Sequence, residues 1–363
     1  MNRIFNFSAG PASLPIEVLK EVQYDLCNWR NLGFSVMEIS HRDQKFIEIA
    51  LSSEKNLRDL LCIPSNYKVL FCQGGARSQF SAIPMNLLGN YKTADYINGG
   101  YWMNSAILEA QKYCSPRIIN ISQTINGIHS VKSIIDWKLS KNSAYIHYCP
   151  NETINGLAIH EIPNFNNNYI FVIDCSSVIL SSPLNICKFG VIYASAQKNI
   201  GPSGLTIVII REDLINRKKL KFLPSTFNYK IISDNNSMFN TPPTLSWYIA
   251  GLVFKWLKNK GGLSTMYKLN KVKSDLLYRE IDSNDFYQNN INKKNRSYMN
   301  IPFFIKNKKL HSIFIEKAVN AGLYGLKGHS FYGGLRASIY NAMPIEGVKS
   351  LITFMQEFRR LYG

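Results

Sequence analysis

Two charged residues follow apolar, strand-like stretches of the chain: Asp174 ends the run YIFVID, and Lys198 comes shortly after the run VIYAS. An unpaired charge in an apolar surrounding costs several kcal/mol, so each of these charges needs a partner or a chemical role. Neighbouring parallel strands would place both side chains at one edge of a sheet, the edge where open α/β sheets bind ligands.

Three hypotheses account for this pair. Asp174 caps the next turn, or it forms a direct salt bridge with Lys198, or a ligand lies between the two side chains. Pyridoxal phosphate fits the third hypothesis, because its ring nitrogen requires a carboxylate and its aldehyde carbon requires a lysine for a Schiff base. Lys198, once displaced by the amine of a substrate, would then act as the general base at the substrate Cα.

A phosphate group needs its own binding site, and the stretch Gly74–Arg77 is a candidate. It follows the strand-like run KVLFC and precedes a helical apolar pattern. Glycines let backbone N–H groups approach an anion, and a helix N-terminus adds partial positive charge. The stretch matches neither G-x-x-x-x-G-K-[ST] nor G-x-G-x-x-G, which excludes P-loop and dinucleotide sites. Trp102 is a candidate to flank the cofactor ring, with a core tryptophan as the alternative.

Helical patterns alternate with short apolar runs along most of the chain. Continuous apolar runs are typical of strands covered on both faces, so the pattern predicts an α/β fold with a mostly parallel sheet between helices. The predicted strands are 68–72, 94–97, 144–149, 169–174, 191–195, 205–210 and 301–305, and the predicted helices include 43–61, 246–262, 263–282, 310–321 and 346–361.

Length and composition limit the class of protein. The chain has 363 residues, 46% of them hydrophobic, which is enough for one large and one smaller domain. No apolar run is long enough to span a membrane, and the N-terminus lacks a signal-peptide pattern, so we expect a cytoplasmic protein with no membrane partner. Seven cysteines without a C-x-x-C pair predict neither a disulfide framework nor a metal site.

The net charge of +18 raises nucleic-acid binding as an alternative function. However, the basic residues are scattered and are densest in the Lys/Asn-rich stretches 216–221 and 289–296, and no RNA- or DNA-binding motif is present. We therefore expect no nucleic-acid partner, and a basic surface would instead attract anionic metabolites. A salt-dependent shift of RNA or DNA would favour the alternative.

The motifs together resemble the phosphoserine aminotransferase family, within the class V, fold-type I enzymes that use pyridoxal phosphate. The resemblance covers almost the whole chain. It implies a seven-stranded-type sheet in a large cofactor domain at 16–262, a small α+β domain at 263–363, and an N-terminal segment at 1–15 packed on the small domain. The stretches that carry it are NFSAGPASLP, VMEISHR, KVLFCQGGARSQF, ADYINGGYW, HYCPNETINGLAI, SAQKNIGPSGLTIVI, NSMFNTPPT and GLRASIYNAMP.

The same resemblance implies a role for individual residues. Lys198 is the implied Schiff-base lysine, Asp174 the partner of the ring nitrogen, and Trp102 the residue stacked on the ring. The other implied cofactor ligands are Thr153 at O3′, Ala76, Arg77 and Gln197 along the ring and phosphate, and Asn240 and Thr241 from the partner in a homodimer. The implied substrate ligands are Arg336 for the α-carboxylate, His41, Arg42 and Arg77 for the distal anion together with His329 from the partner, and Ala9.

The implied reaction transfers the amino group of L-glutamate to 3-phosphohydroxypyruvate, and it extends to the phosphorylated 2-oxo acid of pyridoxine biosynthesis. Some family members have Ser where this chain has Ala9, so a hydroxyl contact is lost there while the backbone N–H stays available. A cysteine desulfurase of the same superfamily is the competing enzyme hypothesis. It needs a mobile cysteine in the C-terminal third, whereas the last cysteine here is Cys187.

Overall fold

The computed structural model describes residues 3–165 and 169–363, which form ten α-helices and fourteen β-strands. The helices are α1 Ile16–Asp25, α2 Gln44–Leu61, α3 Ala76–Leu87, α4 Tyr101–Ala110, α5 Glu212–Ile215, α6 Tyr229–Asp234, α7 Thr244–Asn259, α8 Gly262–Asp282, α9 Leu310–Asn320 and α10 Ile345–Tyr362. The strands are β1 Phe5–Asn6, β2 Tyr67–Gln73, β3 Asp95–Asn98, β4 Arg117–Asn120, β5 Ser122–Ile125, β6 Ile128–Val131, β7 Ile146–Tyr148, β8 Phe171–Asp174, β9 Val191–Ser195, β10 Leu205–Arg211, β11 Tyr287–Gln288, β12 Asn300–Ile305, β13 Leu323–Tyr324 and β14 Leu335–Ser338.

A seven-stranded sheet forms the centre of the molecule, in the order β2-β10-β9-β8-β7-β3-β4. Strand β10 runs antiparallel to both of its neighbours, and the pairs from β9 to β4 are all parallel. The predicted α/β fold with a mostly parallel sheet is therefore confirmed. Strand β4 was not predicted, because three of its four residues are exposed and it lacks a continuous apolar run.

Helices cover both faces of this sheet. One face packs against α2 and α7, and within it the ring of Phe71 stacks on that of Trp247 with centroids 4.1 Å apart. The other face packs against α3 and α4. Side chains alternate along a strand, so Ile173 belongs to the first face while Val172 belongs to the second, the face that Asp174 shares.

The C-terminal elements form a third core around the antiparallel sheet β11-β12-β14, with α8, α9 and α10 against it. The N-terminal strand β1 pairs with β13, and the adjacent Phe7 is completely buried in this core. The domain boundaries at residues 15 and 262 stay a prediction.

Among the residues that the structure describes, no helix is both long and apolar enough to cross a bilayer. In the same residues, no group of three or more His, Cys, Asp or Glu side chains is placed to hold a metal ion. All seven cysteines are unpaired.

Candidate active site

The carboxyl ends of β8 and β9 bring Asp174 and Lys198 to one cavity. Asp174 is the last residue of β8, which pairs in parallel with β9, and Lys198 lies in the turn after β9. Both residues line a cavity of about 340 Å³. The other predicted cofactor ligands that line it are Ala76, Arg77, Trp102, Thr153 and Gln197.

The amine of Lys198 is bonded to a hydroxyl rather than to a carboxylate. Its Nζ donates a hydrogen bond of 2.6 Å to Thr153 Oγ1. Among the ion pairs of the described residues there is none between Lys198 and Asp174. Burial lowers the pKa of Lys198, and the nearby negative charges of Asp174 and Glu152 partly oppose that shift. The hypothesis of a direct salt bridge does not hold in this structure.

Asp174 caps the turn that follows its strand and also lines the cavity. Its Oδ1 accepts a hydrogen bond of 2.9 Å from the backbone N–H of Ser176. Burial raises the pKa of this carboxyl, while hydrogen bonds from Ser176 and the charge of Lys198 hold the increase back. The carboxylate is thus held in place by its own turn and remains available to a cationic ring nitrogen.

The N-terminus of α3 also lines the cavity. Gly75 precedes the helix and lines the cavity together with the first two helical residues. Gly74 has a φ of +90°, and a Cβ there would lie 2.8 Å from Ser78 Oγ, so this tight turn requires glycine. The first turn of α3 contains no acidic residue. A twelve-residue helix that points its free N–H groups at a cavity is suited to bind a phosphate.

Trp102 and Arg77 contact each other at the cavity wall. The Arg77 guanidinium carbon lies 5.2 Å from the centre of the Trp102 ring, within the range of a cation–π contact. Trp102 belongs to the first turn of α4 and is partly buried. The indole lines the cavity and also packs against the core on the α3 and α4 side of the sheet.

Glu152 is a buried residue of this site that the sequence analysis missed. Its carboxylate accepts hydrogen bonds from the backbone N–H groups of Trp102, at 3.0 Å, and Met103, at 2.9 Å. Burial raises its pKa to about 7. The available signal was its position beside Thr153 in PNETING, where a charged residue follows a buried apolar run.

Residues from both ends of the chain lie next to the cavity, and one of them contacts the cavity residue Thr153. Arg336 lies on β14, and its Nη1 donates a hydrogen bond of 3.2 Å to the carbonyl oxygen of Thr153. Burial lowers the pKa of this guanidinium. The carbonyl of Ala9 accepts a hydrogen bond of 2.8 Å from the hydroxyl of Tyr340. Arg336 is therefore attached to the same residue that binds Lys198.

Two predicted substrate residues lie outside the cavity of their own chain. His41 and Arg42 precede α2, where Asp43 caps the helix by accepting a hydrogen bond of 2.8 Å from the N–H of Lys45. Among the described hydrogen bonds and ion pairs, none joins His41 or Arg42 to a cavity residue. Arg42 is exposed and His41 is partly buried.

Asn240, Thr241 and His329 also lie outside the cavity. Asn240 and Thr241 are exposed, and the carbonyl of Thr241 accepts a hydrogen bond of 2.7 Å from Gln73 Nε2. The ring of His329 lies 5.5 Å from that of Tyr101, the residue before Trp102. One chain alone does not bring these three side chains to the cofactor cavity.

The residues of the cavity match the groups of pyridoxal phosphate. A buried carboxylate suits a protonated ring nitrogen, an amine on the neighbouring strand end suits the aldehyde carbon, and an indole suits the ring face. The open N-terminus of α3 suits the phosphate. A mostly parallel sheet with this arrangement at its carboxyl edge defines an enzyme that uses pyridoxal phosphate.

The chain belongs to the class-V aminotransferase family, whose model matches residues 4–351. It is accordingly a transaminase that depends on pyridoxal phosphate.

Two similar solved structures are phosphoserine aminotransferases. The enzyme from Bacillus circulans subsp. alkalophilus is 40% identical, with a TM-score of 0.95 and 99% of each chain covered. The pyridoxal-phosphate-bound enzyme from Trichomonas vaginalis is 40% identical, with a TM-score of 0.92, covering 98% of this chain and 100% of its own. An alanine–glyoxylate aminotransferase from Nostoc sp. shares only the fold, at 14% identity and a TM-score of 0.79, with 98% of this chain and 95% of that chain covered.

Proposed function

We propose that the protein is a phosphoserine aminotransferase, which converts L-glutamate and 3-phosphohydroxypyruvate to 2-oxoglutarate and O-phospho-L-serine. The observation that carries the proposal is the meeting of two basic side chains at Thr153. The Lys198 amine binds its hydroxyl at 2.6 Å, and the Arg336 guanidinium binds its carbonyl at 3.2 Å. An amino acid whose carboxylate is held by Arg336 therefore has its Cα close to Lys198. Similarity to the two phosphoserine aminotransferases supports this choice of substrate.

Each cavity residue then has a chemical task. The bound cofactor supplies an electron sink for the pair left when the Cα–H bond breaks. Asp174 keeps the ring nitrogen protonated, and Lys198 takes the proton from Cα and returns it. Burial lowers the pKa of Lys198, which favours the neutral amine that a general base requires. Trp102 covers the ring face and excludes water from it.

The cofactor contacts divide between the ring and the phosphate. Thr153 would bind the ring hydroxyl through Oγ1, the atom that accepts from the Lys198 amine. Ala76, Arg77 and Gln197 line the cavity, and in this proposal they would hold the phosphate and the near side of the ring together with the N–H groups at the start of α3. A planar guanidinium at Arg336 can hold a carboxylate through two parallel hydrogen bonds, which orients the substrate as well as binding it.

A homodimer completes the site in this proposal. Asn240 and Thr241 are exposed in one chain, so each subunit can present them to the phosphate pocket of the other. The distal anion of the substrate would be bound by Arg77, with His41, Arg42 and His329 contributed across the interface. Ala9 offers only its backbone to the substrate.

The pathway assignments follow from the same proposal. Formation of O-phospho-L-serine would make the enzyme part of serine biosynthesis, and the proposed compartment is the cytoplasm. The phosphorylated 2-oxo acid of pyridoxine biosynthesis carries the same two anions, so it is proposed as a second substrate.

The test is glutamate-dependent amination of 3-phosphohydroxypyruvate by the purified chain, with hydroxypyruvate as the unphosphorylated comparison. We expect a strong preference for the phosphorylated substrate and loss of turnover in Lys198→Ala. In Arg336→Lys, loss of the bidentate contact should raise KM for both amino donor and acceptor. Equal rates with and without the phosphate would contradict the proposed substrate class. Light scattering of the same sample tests the dimer.

A further inference from the structure

Glu152 is a buried carboxylate between the cofactor cavity and helix α4. It caps the helix from a distant part of the chain, because Oε2 accepts from the N–H of Trp102 at 3.0 Å and Oε1 from that of Met103 at 2.9 Å. Gly100, at the N-terminal boundary of α4, has no side chain for this task. Helix N-termini have unpaired N–H groups and a partial positive charge, and a carboxylate satisfies both.

Glycine is required at position 100 because of the nearby Glu152 side chain, and not because of the backbone conformation of Gly100. Its φ of −175° is extended and open to any residue. A Cβ at this position would lie 2.4 Å from both Cγ and Cδ of Glu152. Glycine therefore leaves the space in which the carboxylate reaches the helix.

The backbone of Glu152 is held in place by two further hydrogen bonds. Its N–H donates to the carbonyl of Leu157 at 2.8 Å, and its carbonyl accepts from the N–H of Gly156 at 2.9 Å. The next residue, Thr153, holds the Lys198 amine. One rigid turn thus connects the first turn of α4 with the reactive lysine.

The indole of Trp102 depends on this turn for its position. Its backbone N–H is bonded to Glu152, which fixes the direction in which the side chain leaves the helix. The ring then lies at the cavity beside Arg77. Without the cap, the first turn of α4 has two unpaired N–H groups, and the ring keeps only its contacts with Arg77 and the neighbouring core residues.

We propose that Glu152 is a positioning residue, which holds the Trp102 ring over the cofactor by capping α4. The inference rests on the proposed role of Trp102 as the residue that stacks on the cofactor ring. It predicts that most of the effect of Glu152 on cofactor binding depends on Trp102.

A double-mutant cycle tests this coupling, with wild type, Glu152→Gln, Trp102→Ala and the double variant. Glutamine keeps the size of the side chain and one acceptor oxygen, but it turns an amide N–H group towards a backbone donor. The measured quantities are the dissociation constant of pyridoxal phosphate and the visible circular dichroism of the bound cofactor. Glu280→Gln is the matched control, since this carboxylate is also buried but bonds to Gln356 in the C-terminal part of the chain.

We expect Glu152→Gln to weaken cofactor binding roughly tenfold, the effect of one hydrogen bond to a charged acceptor, and to reduce the dichroism. In the Trp102→Ala background the same change should alter binding by less than about twofold, as expected for residues that act as a unit. Glu280→Gln should leave both readouts unchanged. An equal effect of Glu152→Gln in both backgrounds, or no effect in either, would overturn the proposal.

Gly100→Ala gives a second route to the same test. Its Cβ displaces the Glu152 side chain without changing the charge, so it should reproduce the loss of affinity and dichroism, again mainly when Trp102 is present. It replaces Glu152→Gln in the cycle if that variant does not fold.

Both readouts, the dissociation constant of the cofactor and its visible circular dichroism, are independent of substrate. A chain with the expected coupling that does not aminate 3-phosphohydroxypyruvate would contradict the proposed substrate while leaving the role of Glu152 intact.

Discussion

The amine of Lys198 donates a hydrogen bond of 2.6 Å to the hydroxyl of Thr153, which lies in the loop between β7 and β8. The two residues are far apart in sequence, and they meet because parallel strands end at the same edge of the central sheet. The hydroxyl satisfies an amine whose pKa is lowered by burial. It therefore sets where the amine lies before a cofactor binds.

Replacement of Thr153 by valine should weaken cofactor binding. Valine keeps the branched shape but removes the hydroxyl, and a hydrogen bond to a charged group contributes about 1.5–3 kcal/mol, so we expect at least about a tenfold rise in the dissociation constant. Thr153→Ser retains the hydroxyl and should bind within about twofold of wild type. Titration of the cofactor by its visible absorbance measures both. Equal affinity of the valine and serine variants would show that the hydroxyl has no role in binding.

Replacement of Asp174 by asparagine should reduce turnover while the cofactor stays bound. The amide oxygen can still accept from the N–H of Ser176, so the turn is retained, but the negative charge beside the ring nitrogen is lost. Loss of a fixed electrostatic contact to developing charge typically costs about 10²–10³ in kcat. A cofactor analogue methylated on the ring nitrogen keeps a permanent positive charge and should restore part of the rate in the variant. Undiminished kcat in Asp174→Asn would refute this role.

Lys273 should be required for stability although it is remote from the cofactor cavity. Its side chain is 3% exposed, and its Nζ donates to the carbonyls of Ile339, Tyr340 and Met343 at 3.2, 2.8 and 3.0 Å. The Tyr340 carbonyl also accepts from the N–H of Met343 at 3.0 Å, so Lys273→Met leaves the carbonyls of Ile339 and Met343 without a donor. Each such group costs about 1–3 kcal/mol, so we expect the free energy of unfolding in urea to fall by about 2 kcal/mol or more.

An exposed lysine of the same helix is the control for this prediction. Lys271 forms a surface ion pair with Asp275, and Lys271→Met should change stability by less than about 1 kcal/mol. Similar unfolding free energies for the two variants would mean that the cost of burying the Lys273 ammonium cancels its hydrogen bonds.

The stabilisation by Lys273 should increase with pH. Burial lowers its pKa from 10.5 to about 7 in the native state, against the preference of the three carbonyls for the charged amine. Between these two values the unfolded chain binds more protons than the native protein, so a rise in pH favours the native state. The difference in unfolding free energy between wild type and Lys273→Met should therefore grow from about pH 7 to about pH 10. A difference in unfolding free energy that stays constant or shrinks as the pH rises would contradict this prediction.

Much of the large sheet was predictable because its strands have a simple local signature. The runs KVLFC, YIFVID, VIYAS and LTIVII are apolar on both faces, and they became β2, β8, β9 and β10. Asp174 and Lys198 could be placed at one edge because each follows such a run in neighbouring strands. The local pattern also made Gly74–Arg77 and Trp102 candidates, and the family resemblance added the remaining ligands. Of the predicted ligands, Ala76, Arg77, Trp102, Thr153 and Gln197 line the cavity with Asp174 and Lys198.

Contacts between distant segments were decided by the tertiary structure alone. The cap that Glu152 provides to α4 and the hydrogen bond from Arg336 to Thr153 join elements that share no local pattern. Periodicity reports only which face of an element is buried, and it carries no information about which distant side chain arrives there. A buried carboxylate in an apolar stretch signals that it needs a donor, while the identity of that donor, the N-terminus of α4, depends on how helices and strands pack in three dimensions.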